Sequence, residues 1–184
     1  GMDTMSDAVK PLADIPEFTN LLLMFSNPIL GMLVGLILTA IIQSSSASIG
    51  ILQALCISGA VSYSTAIPII MGQNVGTCVT ALLSSTGAGK NAKRAALVHL
   101  YYNLIITSGF MILFYAVNAV VHFRFLQDPA SALGVAVFHT TFNAIAVVVM
   151  FPFSSVLEKL AYLTIPQTKE ELEVRETAKG EIQL

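Results

Sequence analysis

The sequence predicts an all-α membrane protein built from a re-entrant helical hairpin, one discontinuous span and two full transmembrane helices. Three observations carry that expectation. Hydrophobic residues make up 55% and charged residues 11% of the 184 residues, with a mean hydropathy of +0.77, whereas soluble domains use roughly 25% charged residues. From Phe18 to Gly89 the chain contains no Asp, Glu, Lys, Arg or His. Inside that stretch two apolar segments are each interrupted by an uncharged polar cluster, and two uninterrupted apolar runs follow.

Taken in order, residues 1–27 mix charges with apolar residues and contain Pro11 and Pro16. They are too polar to span, and FTNLLLMF fits an amphipathic helix lying in the membrane surface. There is no basic-then-apolar leader pattern at the start, so the internal apolar segments are expected to direct insertion. Residues 28–62 form the hairpin. The apolar run Ile29–Ile42 would make about 21 Å of helix, short of a hydrocarbon core of roughly 30 Å. Reading through QSSSAS to Val61 gives about 50 Å, too long for one crossing. Two limbs meeting at QSSSAS fit both limits, provided the tip is buried in protein or faces a watery cavity.

Residues 63–88 are expected to be the discontinuous span. Ser64 is the expected N-cap, Pro68 lies inside, and the glycine-flanked GQNVGT, Gly72 to Thr77, predicts an unwound middle. The loop GAGKNAKR then supplies Lys90, Lys93 and Arg94, which the positive-inside rule assigns to the cytoplasm. Residues 92–158 hold two conventional spans, Ala95–Val121 and Ala130–Phe153, and residues 159–184 are a charged cytosolic tail or the start of a further domain. In the two spans HLYYN and HTTFN set His99 with Asn103, and His139 with Asn143, four residues apart. Each pair shares a helix face, and the two faces are expected to meet, either as interhelical hydrogen bonds between buried polar groups or, in the sharper reading, as titrating groups that modulate a transport path. Cys56 and Cys78 sit in apolar segments without metal or redox spacing and read as packing residues. A net charge of −2 with no basic stripe leaves no surface suited to nucleic acid.

The chemistry concentrates at the polar breaks. Ser44, Ser45 and Ser46 open the second limb, where hydroxyls, free backbone N–H groups and the positive end of a helix dipole make an oxyanion site. Gln43 adds an amide, and Thr39 lies on the same face one turn earlier. Gln73, Asn74 and Thr77 offer uncharged oxygen ligands, which suit a weakly held alkali cation better than calcium or magnesium. Serines in membrane helices often do no more than bond to a preceding carbonyl; two interrupted segments together point instead to a transporter site. A phosphate-like dianion without Lys or Arg is costly to desolvate unless cations accompany it, and obligatory co-binding amounts to cotransport. A serine hydrolase is disfavoured, because no G-x-S-x-G elbow or acidic partner stands near the tip.

The residues TAIIQSSSA at Thr39–Ala47, GQNVGTCVT at Gly72–Thr80 and the two H-x-x-x-N spans resemble one repeat of the type II sodium/phosphate cotransporter family in its bacterial form. The resemblance runs from Met2 to Phe153. It implies sodium-coupled uptake of inorganic phosphate across the cytoplasmic membrane by two inverted repeats, each with a Q-S-S-S tip, and no enzyme activity. Carried over, Gln43, Ser44, Ser45, Ser46, Asn74 and Gly76 would contact phosphate. Thr39, Gln43, Ser46, Gln73, Asn74 and Thr77 would hold sodium, the coupling ion, with no other cofactor or metal. The chain departs from the family pattern at Gln73 and Cys78. With a single Q-S-S-S it is expected to be one repeat, the C-terminal half, completed by an N-terminal half or a second copy, with a PhoU-like cytosolic helical domain following. A phosphate-sensing half-transporter without net transport, or a cotransporter of another tetrahedral oxyanion, are the alternatives.

Overall fold

The structure, a computed structural model, describes residues 25, 27–57, 59, 61–168 and 171. The surface helix expected over residues 1–27 and the far end of the tail lie outside the described residues. The described residues form six α-helices and no β-strand: α1 (Pro28–Ile42), α2 (Ser45–Ile57), α3 (Tyr63–Ser85), α4 (Lys90–Val121), α5 (Ala132–Met150) and α6 (Ser154–Thr164), with short 3-10 turns at Arg124–Gln127 and Phe151–Phe153. Three stretches are long and apolar enough to cross a membrane: Tyr63–Ser85, Lys90–Val121 and Ala132–Thr164.

Asn27 caps α1 through its side-chain oxygen, which accepts from the N–H groups of Ile29 (3.0 Å) and Leu30 (3.4 Å). Pro28 follows at the first turn, where a missing N–H costs nothing. The helix stops at Gln43, which adopts the left-handed conformation with φ 55° and ψ 25° while its N–H closes onto the Thr39 carbonyl at 2.7 Å. At 15 and 13 residues, α1 and α2 measure about 22 and 20 Å, so neither spans a bilayer alone. The chain folds back between them, since Thr39 and Ser48, nine residues apart, touch through their hydroxyls at 2.9 Å.

Central to the fold is α3, in which every residue from Thr65 to Gly76 is buried. A helix buried on all sides must be packed by neighbours all round. α1 lies along it in parallel: Gly31 meets Pro68, Gly35 meets Ile69, Gly72 meets Met32 and Gly76 meets Leu36 and Thr39. Two G-x-x-x-G patterns, GMLVG and GQNVG, thereby face one another and let the backbones approach closely. A Cβ placed on Gly35 or Gly72 would overlap the carbonyl of Ile69 or Met32. This corrects the expected unwound middle: α3 is one continuous helix, and its glycines remove side-chain bulk at a helix crossing. The N-cap also moves, from Ser64 to Ser62, whose hydroxyl pairs with that of Ser64 at 2.8 Å.

The second limb runs back along α3, bringing Ser48 beside Gln73. The ends of the loops before α3 and before α5 are tied together by backbone hydrogen bonds, Ala130 N–H to Val61 (2.8 Å) and Tyr63 N–H to Asp128 (3.2 Å). Gln53 of α2 donates to the Ala132 carbonyl at 3.0 Å. Around these contacts Leu52, Cys56, Val61, Ile69, Ile70, Met71, Met111, Val135, Phe142 and Ala146 form the core. Outward, Ile112, Leu113, Val120, Val148 and Phe151 are exposed, an apolar surface suited to lipid.

Two expectations about the basic end change. Lys90, Lys93 and Arg94 are the first turns of α4 and not a loop, because the breakers Gly87 and Gly89 end just before them. The helix α6 runs through the expected boundary at residue 158, since the turn at Pro152 redirects the chain without ending the helical pattern. Arg94 is buried beneath the segment that follows α6. Its Nε donates to the Ile165 carbonyl (3.0 Å) and Nη2 to the Pro166 carbonyl (2.9 Å), while Nη1 reaches Asn91 (2.6 Å). Both carboxylate oxygens of Glu171 complete the set, at 3.1 and 2.9 Å, and Tyr162 lies against the guanidinium. All five N–H donors of the arginine are thus used.

Glu171 also accepts from the Thr168 backbone N–H at 2.9 Å, and Thr168 Oγ1 accepts from the Glu171 N–H at 3.4 Å, a reciprocal pair of the capping-box kind. Hydrogen bonding from Arg94, then from Thr168, holds the Glu171 carboxyl well below its ordinary value of 4.5, at about 2. The folded pKa is depressed, so the stabilisation is fully present above pH 4.5 and is lost as pH falls through about 2. A spin label on Gln167→Cys is expected to stay immobile down to pH 4.5 and to gain mobility only as pH approaches about 2; release with a midpoint at or above 4.5 would show that Glu171 is not held by Arg94 in solution.

Candidate functional site

The hairpin tip is built by the break itself. Ser44 caps α2: its Oγ accepts from the Ala47 N–H at 3.3 Å, and its carbonyl accepts the Ser48 N–H at 3.0 Å. The remaining first-turn N–H groups, those of Ser45 and Ser46, have no intrahelical acceptor by helix geometry. Gln43, Ser44 and Ser46 are exposed and Ser45 is half-buried. Hydroxyls, N–H groups and the positive helix end therefore converge at one accessible point, and among the described residues no carboxylate is hydrogen-bonded there to repel an anion.

One turn deeper lies a polar triad joining three helices. Thr39 Oγ1 of α1 donates to Ser48 Oγ of α2 at 2.9 Å, and Gln73 Nε2 of α3 donates to the same oxygen at 2.8 Å. These residues are 1%, 0% and 1% exposed, in that order, so the hydrogen bonds are sheltered from competing water. The other end of the Gln73 amide, Oε1, is buried without a hydrogen-bond partner. A buried acceptor left bare is costly unless something occupies it.

Thr39 and Gln73, both sequence candidates, are thus brought together, but through Ser48, which was not singled out. Its position four residues after Ser44 places it on the inward face of α2, and that spacing was the available signal. Gly76 sits against Leu36 and Thr39 as a packing residue. Asn74 Nδ2 bonds the Ile70 carbonyl (3.2 Å) and Thr77 Oγ1 the Asn74 carbonyl (2.6 Å), both on their own helix. Cys78 Sγ turns to α4, contacting the His99 carbonyl at 3.6 Å, and lies away from the triad.

Asn103 Nδ2 bonds the His99 carbonyl at 3.0 Å and Asn143 Nδ2 the His139 carbonyl at 2.8 Å, each within its own helix. Asn103 is buried and also pairs with the Cys78 side chain of α3, so its contact between helices is made to α3. Among the described residues no three His, Cys, Asp or Glu side chains gather as a metal site, leaving uncharged oxygens as the candidate cation ligands.

A family model described as Na+/Pi-cotransporter matches residues 1–150. The chain is 32% identical over 135 residues to the uncharacterized protein YqeW of Bacillus subtilis, covering 73% of this chain and 43% of that protein. It is 51% identical over 55 residues to sodium-dependent phosphate transport protein 2A of Rattus norvegicus, covering 30% of the chain and 9% of the relative. With sodium-dependent phosphate transport protein 2B of Homo sapiens it shares 39% identity over 84 residues, 42% of the chain and 12% of the relative. The chain therefore spans less than half the length of these relatives. No solved structure matches. With its apolar spanning helices and lipid-suited surface, the chain is a multi-pass membrane protein, and it belongs to the Na+/Pi-cotransporter family.

Proposed function

We propose that the protein takes part in sodium-coupled uptake of inorganic phosphate across the cytoplasmic membrane, with α1 and α2 acting as a re-entrant hairpin. The observation that carries this reading is the sharp break at Gln43–Ser44, which delivers the Ser45 and Ser46 hydroxyls and N–H groups to an accessible tip. Ser44 and the Gln43 amide complete the phosphate-facing set. Thr39 and Gln73, joined through Ser48, with Asn74, Thr77, Gln43 and Ser46 nearby in sequence, supply the sodium ligands; Gly76 serves by letting α1 approach.

The physics supports coupling. A helix end contributes about half a charge, which does not neutralise a phosphate dianion, and the stretch Phe18–Gly89 has no basic side chain to do so. Sodium ions bound alongside make up the balance, and inward movement of excess positive charge gains roughly 2.3 kcal/mol per charge per 100 mV. The similarity to transporters 2A and 2B, named as sodium-dependent phosphate transport proteins, supports the same reading. A second repeat would close the exposed tip.

The test is uptake of labelled phosphate by proteoliposomes with and without an inward sodium gradient. Ser45→Ala removes one charge-assisted hydrogen bond and is expected to weaken phosphate affinity by roughly tenfold or more. Unchanged sodium-dependent uptake by that variant would reduce the tip to a packing element.

A further inference from the structure

Resting on the sodium-coupled reading, we propose that Ser48 is a positioning residue that fixes which end of the Gln73 amide faces the cation, presenting Oε1 as a ligand. The two ends of a carboxamide have nearly the same shape and opposite hydrogen-bonding sense, so a buried glutamine needs a neighbour to choose its orientation. Ser48 Oγ is that neighbour. It accepts from Gln73 Nε2 at 2.8 Å and from Thr39 Oγ1 at 2.9 Å, which uses both acceptor positions of the hydroxyl.

With its nitrogen held by Ser48, Gln73 turns its carbonyl oxygen the other way, where the oxygen is buried and has no hydrogen-bond partner. An unpartnered NH2 there would repel a cation; an unpartnered C=O attracts one. The geometry also explains why a residue on the hairpin bears on cation affinity: Ser48 belongs to α2, Thr39 to α1 and Gln73 to α3, so the orientation of the ligand depends on the hairpin being closed against α3. Phosphate engagement at the tip and cation binding one turn below then share a structural element, a route for coupling between the two ligands.

The experiment measures sodium-dependent thermal stabilisation of the purified protein, with choline replacing sodium at constant ionic strength. Binding to the folded state alone raises its stability, so the half-saturating sodium concentration is read directly. Ser48→Ala is expected to raise that concentration about tenfold, beside a lower melting midpoint in choline from the two buried donors it leaves unpaired. Adding Gln73→Glu to Ser48→Ala supplies an oxygen at both ends of the side chain, needs no orienting partner, and is expected to return the concentration to within about threefold of wild type. If Ser48→Ala does not fold, Ser48→Cys, similar in shape but a weak acceptor, takes its place.

Wild-type sodium affinity in Ser48→Ala, no rescue by Gln73→Glu, or a wild-type protein that sodium does not stabilise would each overturn the role of Ser48. A wild-type protein stabilised by sodium, with the expected variant pattern but no sodium-driven phosphate flux, would instead sink the transport reading and leave Ser48 in place.

Discussion

Gly72→Ala is expected to break the contact between α1 and α3 and to cost the protein more than any other methyl group added to the hairpin region. The added Cβ would overlap the backbone carbonyl of Met32, and backbone cannot swing aside as a flexible side chain does. Overpacking of a tight core costs typically about 1–3 kcal/mol, and here it acts against a favourable helix-propensity change of roughly 1 kcal/mol. Gly35→Ala meets the Ile69 carbonyl and should behave alike. Gly87→Ala is the control, since nothing lies within 4 Å of its added Cβ. Thermal unfolding in detergent should therefore show a large downward shift for Gly72→Ala and Gly35→Ala and almost none for Gly87→Ala. Equal midpoints in all three would mean that the two G-x-x-x-G patterns do not face one another.

Arg94→Ala is expected to free the segment after α6. The substitution leaves the carbonyls of Ile165 and Pro166 and the carboxylate of Glu171 without the donors that hold them, and strips the face of Tyr162. Because the same carboxylate accepts from the Thr168 N–H, that contact loosens together with the anchor. Hydrogen–deuterium exchange over Ile165–Thr168 should accelerate by about tenfold or more, as expected for loss of several charge-assisted bonds. Arg94→Lys keeps the charge but has no planar fork to serve carboxylate and carbonyls at once, so it should fall between alanine and wild type. Exchange in Arg94→Ala as slow as in wild type would remove the anchor from the fold.

Much of this fold was legible in the sequence because bilayer thickness imposes lengths. Two limbs of 15 and 13 residues cannot cross, and the long runs must, whatever their neighbours do. The break between the limbs was legible for a related reason: neither one limb nor both in line match the thickness of a bilayer. What escaped was anything that depends on a partner. Gly72 and Gly76 were read as sites of unwinding, yet a glycine equally marks a place where a side chain would collide, and only the facing Gly31 and Gly35 decide between the two. The i, i+4 spacing of both pairs was in view and went unused. The asparagines of α4 and α5 suggested bonds between those two helices, but an amide in a helix can always bond the carbonyl one turn back, and these do. Ser48 is overshadowed in the sequence by the run Ser44–Ser46, whose place at the start of the second limb makes them the more obvious ligands. Arg94 matched a statistical preference for positive charge on one side of the membrane, a preference that is blind to whether the charge is later buried.

The Arg94–Glu171 pair also imposes an order on biogenesis. The two residues are 77 positions apart, and two membrane-crossing segments are synthesised between them. Throughout that interval the guanidinium lacks its carboxylate. Only after α6 has left the ribosome does the segment carrying Glu171 arrive to enclose it. Withdrawal of this arginine from water is therefore a late event, possible only once both intervening segments have been made.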